Sequence, residues 1–522
     1  MRPACPPPGS PCGASAEAAR AARAARAAEA PARAGVAVAE VVIVGGGVGG
    51  LCAAIRLRAL GHAVTVCERA DRFGGKLDAR TRDGFTFETG PSLVTLPDVL
   101  DDTLATAGSR LADEVDLVRL PRPFRYHWPD GSTLETADDP EATAEAFEAF
   151  SCGAGAAYRS LIERGRRIWE LSERTFFAGP MDHPLEVVRR LRSPMDLVRI
   201  DGARTLATVA RRRFTDPRLQ QWLGRYATYS GSSPWRAPAT LACIPAVEAV
   251  HGCWYVRGGL GALRDALVRV AERTGARLLA AAEVTGIRHD GRTVAGVRLA
   301  DGTTLDADVV VSDVDAEHLY RDLLPDPSSL QRVWRTERST SGVVVLAALD
   351  GRTPGIAHHD VWFSGDYRAE FDAMVGAGRP AAEPTVYACV SAVTDPTQAP
   401  DGAENWFVLI NAPSADGLDW DSLRQQQHDT VLGVLARHGV DVAGRARWTE
   451  TITPADLAAR YRNPGGAIYG TSSNGRRAAF VRPGNRGPLH GLYLVGGTSH
   501  PGGGLPLVAS SARIVATLIG AA

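Results

Sequence analysis

Long apolar runs are missing from this sequence. No window approaches ~20 uninterrupted apolar residues, so no segment is expected to cross a bilayer as a helix. A surplus of charge is missing too. Lys and Arg number 58 against 59 Asp and Glu, a formal charge of −1, which excludes a general attraction to nucleic acid or an anionic membrane and leaves only local patches. Cysteine is sparse: the eight residues Cys5, Cys12, Cys52, Cys67, Cys152, Cys243, Cys253 and Cys389 show no C-x-x-C and no metal-ligand spacing. They read as reduced intracellular thiols, with Cys52 and Cys67 as small buried apolar residues, and neither zinc nor another metal is expected. H-E-x-x-H, a Ser-His-Asp order and a paired-carboxylate signature are also absent, so hydrolytic chemistry has no foothold. Residues 1–39 have almost no large apolar side chain and no signal-peptide core. Alanine with Arg20, Arg23 and Arg26 implies a disordered or weakly helical tail, or a start codon placed too far upstream of a fold that begins near Val38.

What is there is ordinary in bulk and specific in detail. At 45% hydrophobic and 22% charged, 522 residues suffice for two or more globular units. Val41–Val44 is a short β-branched run that reads as a buried parallel strand. Gly45, Gly47 and Gly50 follow in G-x-G-x-x-G spacing, a helical pattern runs from Leu51 to Leu60, and Gly61 suits the residue after the helix. Val64–Val66 is a second strand, and Glu68 closes it. The first glycine makes the turn, the second admits a pyrophosphate and the third packs helix on strand, while the acid accepts from a ribose 2′-OH. Among 55 glycines the spacing alone says little, but these parts in this order predict a dinucleotide site. Glu68 disfavours a 2′-phosphate, which leaves FAD or NAD(H).

The residues that follow separate the two. Glu68-Arg69-Ala70-Asp71-Arg72-Phe73-Gly74-Gly75-Lys76 resembles the E-R-x-x-x-x-G-G-[RK] signature of the flavin amine oxidase and phytoene desaturase superfamily, which implies FAD. There the glycine pair lies against the flavin diphosphate; Lys76 stands where Arg is usual and keeps the charge without the bidentate fork. Phe85 to Ser92 resembles the family's G-F-T-F-D-x-G-P-[TS] block, which implies that Gly90, Pro91 and Ser92 lie beside the flavin. Val256 to Leu263 matches a family loop and helix start. Val284 to Ile287 matches a family strand whose backbone brackets the adenine. The closing Gly496-Gly497-Thr498-Ser499-His500-Pro501-Gly502-Gly503-Gly504-Leu505-Pro506-Leu507-Val508 resembles the last FAD-binding stretch, implicating Gly496, Gly497, Pro506, Leu507 and Val508. Its wording leans toward relatives acting on already coloured carotenoids, the 3,4-desaturases and terminal-methyl oxygenases.

The resemblance covers residues 40–522 and implies an α/β fold. A Rossmann-like FAD-binding domain would come in three pieces, 40–135, 255–315 and 481–522. A helical lobe over 136–254 and a mixed α+β substrate domain over 316–480 would complete it, with 1–39 as the tail. Along the rest of the chain, Arg125–Gly131 reads as a hairpin, Leu278–Ile287 as one strand paired with Val294–Leu299, and Thr453-Pro454 as a helix start. Leu185 to Phe214, broken by Pro194 and Gly202, reads as two or three short helices mixing apolar residues with arginines, as an interfacial membrane patch does.

Desaturating a –CH2–CH2– unit needs a hydride acceptor, which the family's flavin provides, and a destination for a proton; the polyene itself delocalises the charge. No strong base is demanded. His500 is the one titratable group in a flavin-proximal motif and is the candidate catalytic residue, with bracing of the glycine loop as its other reading. Trp222, Tyr226, Tyr229, Trp235 and Trp254 could line a polyene tunnel or be plain core. The reading is a carotenoid desaturase that takes a phytoene-, neurosporene- or lycopene-type substrate from the cytoplasmic face of the cell membrane, where it binds peripherally. Oxygen or a quinone would reoxidise the flavin, and no nucleic acid would be bound. The alternatives are a terminal-methyl carotenoid oxygenase, a flavin amine oxidase, or a non-enzymatic prenyl carrier like the GDP-dissociation inhibitors.

Overall fold

A computed structural model describes residues 38–522 apart from 415. The tail expected over 1–39 lies outside the described residues except for Val38 and Ala39, as do Cys5 and Cys12.

Strand β1 (Glu40–Val44) runs through the glycine turn into helix α1 (Val48–Ala59), and the chain returns as β2 (Ala63–Cys67). Three later segments join this unit: β3 (Arg277–Leu279), β4 (Val309–Ser312) and β5 (Leu492–Leu494). The sheet order is β5-β4-β1-β2-β3, all parallel, with Val42 between Val310 and Thr65. Both faces of β1 are buried, which is why its sequence is a continuous apolar run rather than an alternating one. On one face Val41 and Ile43 pack with Leu51 and Ile55 of α1, with Leu263 and Leu267 of helix α2 (Leu260–Arg273), and with Ala509, Ala512 and Val515 of helix α3 (Leu505–Ile519). The nucleotide unit is therefore assembled from three separated stretches, as the motif positions require.

The alternation over Leu278–Ile287 is divided between two strands. After β3 the backbone N–H groups of Ala281 and Ala282 donate to the carbonyls of Ala70 and Glu68, both at 2.8 Å, which draws the chain off the parallel sheet. Val284–His289 then opens an antiparallel sheet with Val294–Leu299 and Thr304–Asp306. The first nucleotide piece also ends earlier than residue 135. Phe124–His127 and Thr133–Thr136 form the expected hairpin, but they extend a different sheet, with Phe124–His127 parallel to His359–Trp362. Phe124, Tyr126 and Trp128 bury against the helices that follow, so the hairpin goes where its aromatics find cover.

That second sheet has seven strands, in the order Ala446–Ile452, Ser341–Asp350, Ala403–Ala412, Val386–Cys389, His359–Trp362, Phe124–His127 and Thr133–Thr136. The Val343–Leu349 and Trp406–Ile410 runs belong to its two longest members, both largely buried and paired antiparallel. Helices Pro140–Phe150, Ala154–Thr175, Pro217–Arg225 and Cys243–His251 form a lobe beside it, around Phe147, Tyr158, Phe214 and Trp222. Trp222 and Tyr226 are core in this cluster. Trp235 instead lines a cavity of about 430 Å³ with Trp128 and Tyr367. The arginine-rich stretch forms three short helices, Pro184–Arg190, Met195–Ile200 and Leu206–Arg213. Thr453 caps the helix Pro454–Tyr461 in a reciprocal pair with Asp456.

Candidate functional site

The first turn of α1 has backbone N–H groups with no partner inside the helix, and the loop before it lies against three other segments. Gly45, at φ +97°, makes the turn out of β1. A Cβ on Gly50 would collide with the Gly45 carbonyl, so the third glycine lets the helix sit on its own strand. A Cβ on Gly47 would lie 2.6 Å from the Asp313 carboxylate, and one on Gly49 3.0 Å from the backbone nitrogen of Gly496. Gly74 donates its N–H to Gly46 at 2.7 Å, and Gly75 lies close enough that its Cβ would stand 3.2 Å from Gly47 Cα. A Cβ on Gly90 would strike the carbonyl of Lys76. The glycines that the sequence singles out around residues 45–50, 74–75, 90 and 496 thus meet in one cradle.

The side chains singled out there point in several directions. Glu68, half-buried at the end of β2, accepts N–H bonds from Gly46 and Ala70, both at 2.8 Å, and keeps further lone pairs free. Arg69 turns away from the cradle and donates to the carbonyls of Ala459 and Arg460. Lys76 Nζ donates to the carbonyl of Ile468 at 2.7 Å, and burial lowers its pKa. It fastens the cradle to the far lobe. Ser92 meets the hydroxyl of Tyr387 at 2.5 Å, a second tie across the lobes. Val284 is buried at the start of the antiparallel sheet, and the backbone of Ala282 just before it is bonded to Glu68.

At the C-terminal end Gly496 takes φ +93° and donates its N–H to Ser511 Oγ at 2.9 Å. Gly497 accepts from the half-buried Arg482 at 3.0 Å, and Pro506, Leu507 and Val508 form the half-buried first turn of α3. His500 is 2% exposed. Its Nε2 points at the carbonyl of Phe176 at 2.8 Å and that of Gly179 at 3.2 Å, and burial pushes its pKa down to about 4. Its geometry is that of a neutral brace on the loop 176–179.

Sequence reasoning passed over two acids. Asp313, one residue past β4, accepts the N–H of Gly50 at 2.9 Å and so caps the first turn of α1. Burial raises its pKa to about 7, with Glu68's charge adding to the rise and the Gly50 bond opposing it. Glu88 is 4% exposed and accepts the N–H of Leu260 at 3.1 Å; burial raises it to about 8. An acid ending an apolar strand was the available signal in both cases, since Val309–Ser312 and Phe85–Phe87 each run straight into one.

Comparison with known proteins follows this geometry. Residues 48–520 match the family described as flavin containing amine oxidoreductase, and residues 2–86 match the pyridine nucleotide-disulphide oxidoreductase family. The chain is 33% identical to a 4,4'-diapolycopene oxygenase of Methylomonas, covering 91% of this chain and 97% of the relative. It is 32% identical to a 1-hydroxycarotenoid 3,4-desaturase of Flavobacterium, covering 92% and 99%. It is 35% identical to a hydroxyneurosporene desaturase of Cereibacter sphaeroides, covering 92% and 97%. Among solved structures, an oxidoreductase from Methanosarcina mazei superposes with a TM-score of 0.60 at 18% identity, over 91% of this chain and 99% of that one. A putrescine oxidase bound to putrescine gives 0.59 at 17%, over 92% and 98%.

The half-buried Asp313 makes stability depend on pH. Its folded pKa of about 7 lies above the ordinary 3.8, so its contribution is complete below about 4 and is lost as pH rises through 7. Thermal unfolding of cofactor-free protein between these limits should show a falling midpoint, and Asp313→Asn should make the slope shallower. An unchanged slope in the variant would remove Asp313 as its source.

Proposed function

The chain belongs to the flavin-containing amine oxidoreductase family, and on that footing we propose that it is a carotenoid desaturase, removing hydrogen in pairs from a long polyene. It is an FAD-dependent oxidoreductase. The observation that carries the substrate class is that its relatives include 3,4- and hydroxyneurosporene desaturases at 32 and 35% identity over nine-tenths of the chain. The oxygenase relative at 33% supports terminal-methyl oxidation as a second reading, as does the Gly496–Val508 wording.

The cradle fits the cofactor. A Cβ at Gly47, Gly50 or Gly90 would meet backbone or carboxylate oxygen, so these glycines let the segments of the cradle pack main chain against main chain. The α1 N-terminus suits a diphosphate, and the free lone pairs of Glu68 suit a ribose hydroxyl. Gly90–Ser92 and Gly496–Gly497 come to the same cradle from two sides. Bound FAD supplies the hydride acceptor. The chain's own residues would orient a long apolar substrate and keep water and charge away from it. Burial holds Glu88, Asp313 and His500 at or toward their neutral forms, which suits an uncharged polyene and a mechanism without a strong base. His500 would act as a strut for the loop 176–179, and Arg69 and Lys76 as ties between lobes. Oxygen or a quinone would reoxidise the flavin.

Among the described residues no helix is long and apolar enough to cross a membrane. Peripheral binding at the cytoplasmic face is supported by Leu185, Val188, Met195, Leu197 and Val198, each more than half exposed on two adjoining short helices with Arg189, Arg192 and Arg199 exposed among them. Apolar side chains beside guanidinium groups are what an interfacial element presents to acidic lipid.

Three outcomes test these points. Expressed in bacteria making phytoene, neurosporene or lycopene, the enzyme should yield a red-shifted pigment lighter by pairs of hydrogens; a pigment gaining oxygen would select the oxygenase, and no change would remove the carotenoid. Gly47→Val should purify colourless, and a variant still yellow would sink the assigned cradle. Sedimentation with acidic-lipid vesicles should pull down the wild type, and Leu185→Asp with Val198→Asp should stay in solution. Equal pelleting of both would place the contact elsewhere.

A further inference from the structure

The seven-stranded sheet assembles a second constellation next to the cradle. His359 and Cys389 stand opposite each other on neighbouring antiparallel strands, and His358 precedes the first of them. One donor atom from each of His358, His359 and Cys389 lies within 4.8 Å of the others, and the three residues are 3, 0 and 2% exposed.

The two imidazoles are held alike. His358 Nδ1 meets Thr394 Oγ1 at 2.7 Å, and His359 Nδ1 meets the Tyr387 hydroxyl at 2.9 Å. Each hydroxyl oxygen can accept from an Nδ1–H, the tautomer that leaves the Nε2 lone pair free, and Tyr387 can pass its own proton on to Ser92. Both Nε2 atoms are buried without any hydrogen-bond partner. One such orphan is costly to bury, and two in adjacent residues call for a shared reason. A histidine fixed through one nitrogen, with the other bare and a thiol close by, has the form of a metal ligand. Cys389 Sγ has a long 4.0 Å contact with Glu88 Oε2, a carboxyl group outside the three-residue cluster.

We propose that His358, His359 and Cys389 form a buried three-ligand site for one zinc-class divalent ion. Two imidazole nitrogens and a sulfur leave the fourth position of a tetrahedral set to water, a coordination zinc takes, and the thiolate selects against magnesium and calcium. On binding, the S–H of Cys389 breaks, one proton leaves to solvent, and bonds form from the metal to sulfur and two nitrogens. No electrons are exchanged. The thiolate offsets one charge of the dication, and Glu88 stands beside that sulfur as an outer carboxyl group. The ion would lock the strand pair that carries the site. Through His359, Tyr387 and Ser92 it would also fix the turn at residues 90–92. This revises the expectation of no metal, which rested on the spacing of cysteines alone. It does not depend on the carotenoid assignment.

The test uses the flavin-loaded full chain equilibrated with buffered zinc and then freed of loose metal. Elemental analysis should find one zinc per chain. The zinc X-ray absorption spectrum should show one sulfur at about 2.3 Å with nitrogen and oxygen neighbours at about 2.0–2.2 Å. Cys389→Ser, and separately His358→Ala with His359→Ala, should lose the zinc while keeping the yellow flavin spectrum. Clearly substoichiometric zinc in folded, yellow wild type would overturn the site, as would zinc with no sulfur neighbour or a Cys389→Ser protein that binds as much as wild type. If a variant does not fold, the wild-type sulfur shell decides alone.

Discussion

The fold turns on the closeness of main chain to main chain at the N-terminus of α1. Gly47, Gly50, Gly75, Gly90 and Gly496 come from four regions of the sequence, and at each a Cβ would meet a backbone or carboxylate atom at or inside contact distance. Asp313 takes the first-turn N–H of Gly50, and the helix N-terminus as a whole favours an anion or a diphosphate. The closeness also dictates topology. β4 must lie beside β1 to deliver Asp313 to that turn, and β5 must lie beside β4 to deliver Gly496. The substrate lobe is inserted between these strands because the cradle tolerates neither insertion nor side chains.

The same closeness buries charge. Asp313, Glu88 and Lys76 are each pushed toward their neutral forms by desolvation, and each is tied to backbone rather than to a full ionic partner. Ions held away from water cost more than they return unless they are hydrogen-bonded, and each of these groups is. Asp78 has cationic partners instead. Arg264 reaches it at 2.9 Å and Arg460 also pairs with it, at the junction of the first nucleotide segment with α2 and the Pro454–Tyr461 helix. Asp78 has arginines around it at the lobe junction, while Asp313 and Glu88 have backbone N–H partners. That division suits a cleft for an apolar molecule.

Much of this was legible in the sequence because backbone constraints leave a local trace. Val41–Val44, the glycine spacing and Glu68 each predict a conformation from a few adjacent residues, and the structure has β1, α1 and β2 where those residues ask for them. The Thr453-Pro454 helix start and the three short arginine-rich helices were legible for the same reason. What failed to show was anything set by partners far along the chain. Leu278–Ile287 alternates throughout, and only the carbonyls of Glu68 and Ala70 divide it in two. The Phe124–Thr136 hairpin is local, but the sheet it joins is chosen by His359–Trp362, more than 200 residues away. Lys76 and His500 carry plausible chemistry in their motifs, yet their nitrogens are occupied by Ile468, Phe176 and Gly179.

The loop 176–180 shows how such long-range ties could serve function. Its carbonyls are held from three directions: by His500 in the C-terminal glycine motif, by Arg190 on the first short helix, and by Arg513 of α3 at Phe177. One partner belongs to the cradle and another to the helices with exposed Leu185 and Val188. The segment is therefore a rigid link between the surface proposed to meet the bilayer and the cleft proposed to hold the flavin. A substrate dissolved in lipid has to pass from one to the other without entering water, because a long polyene gains nothing by leaving an apolar phase. Fixing their relative position is worth a buried histidine and two arginines that donate to the backbone of this loop. On this view His500 matters to the chemistry through where it holds the entrance, and its pKa of about 4 lets it do so as a neutral hydrogen-bond donor, with no ionic partner to be found in an apolar passage.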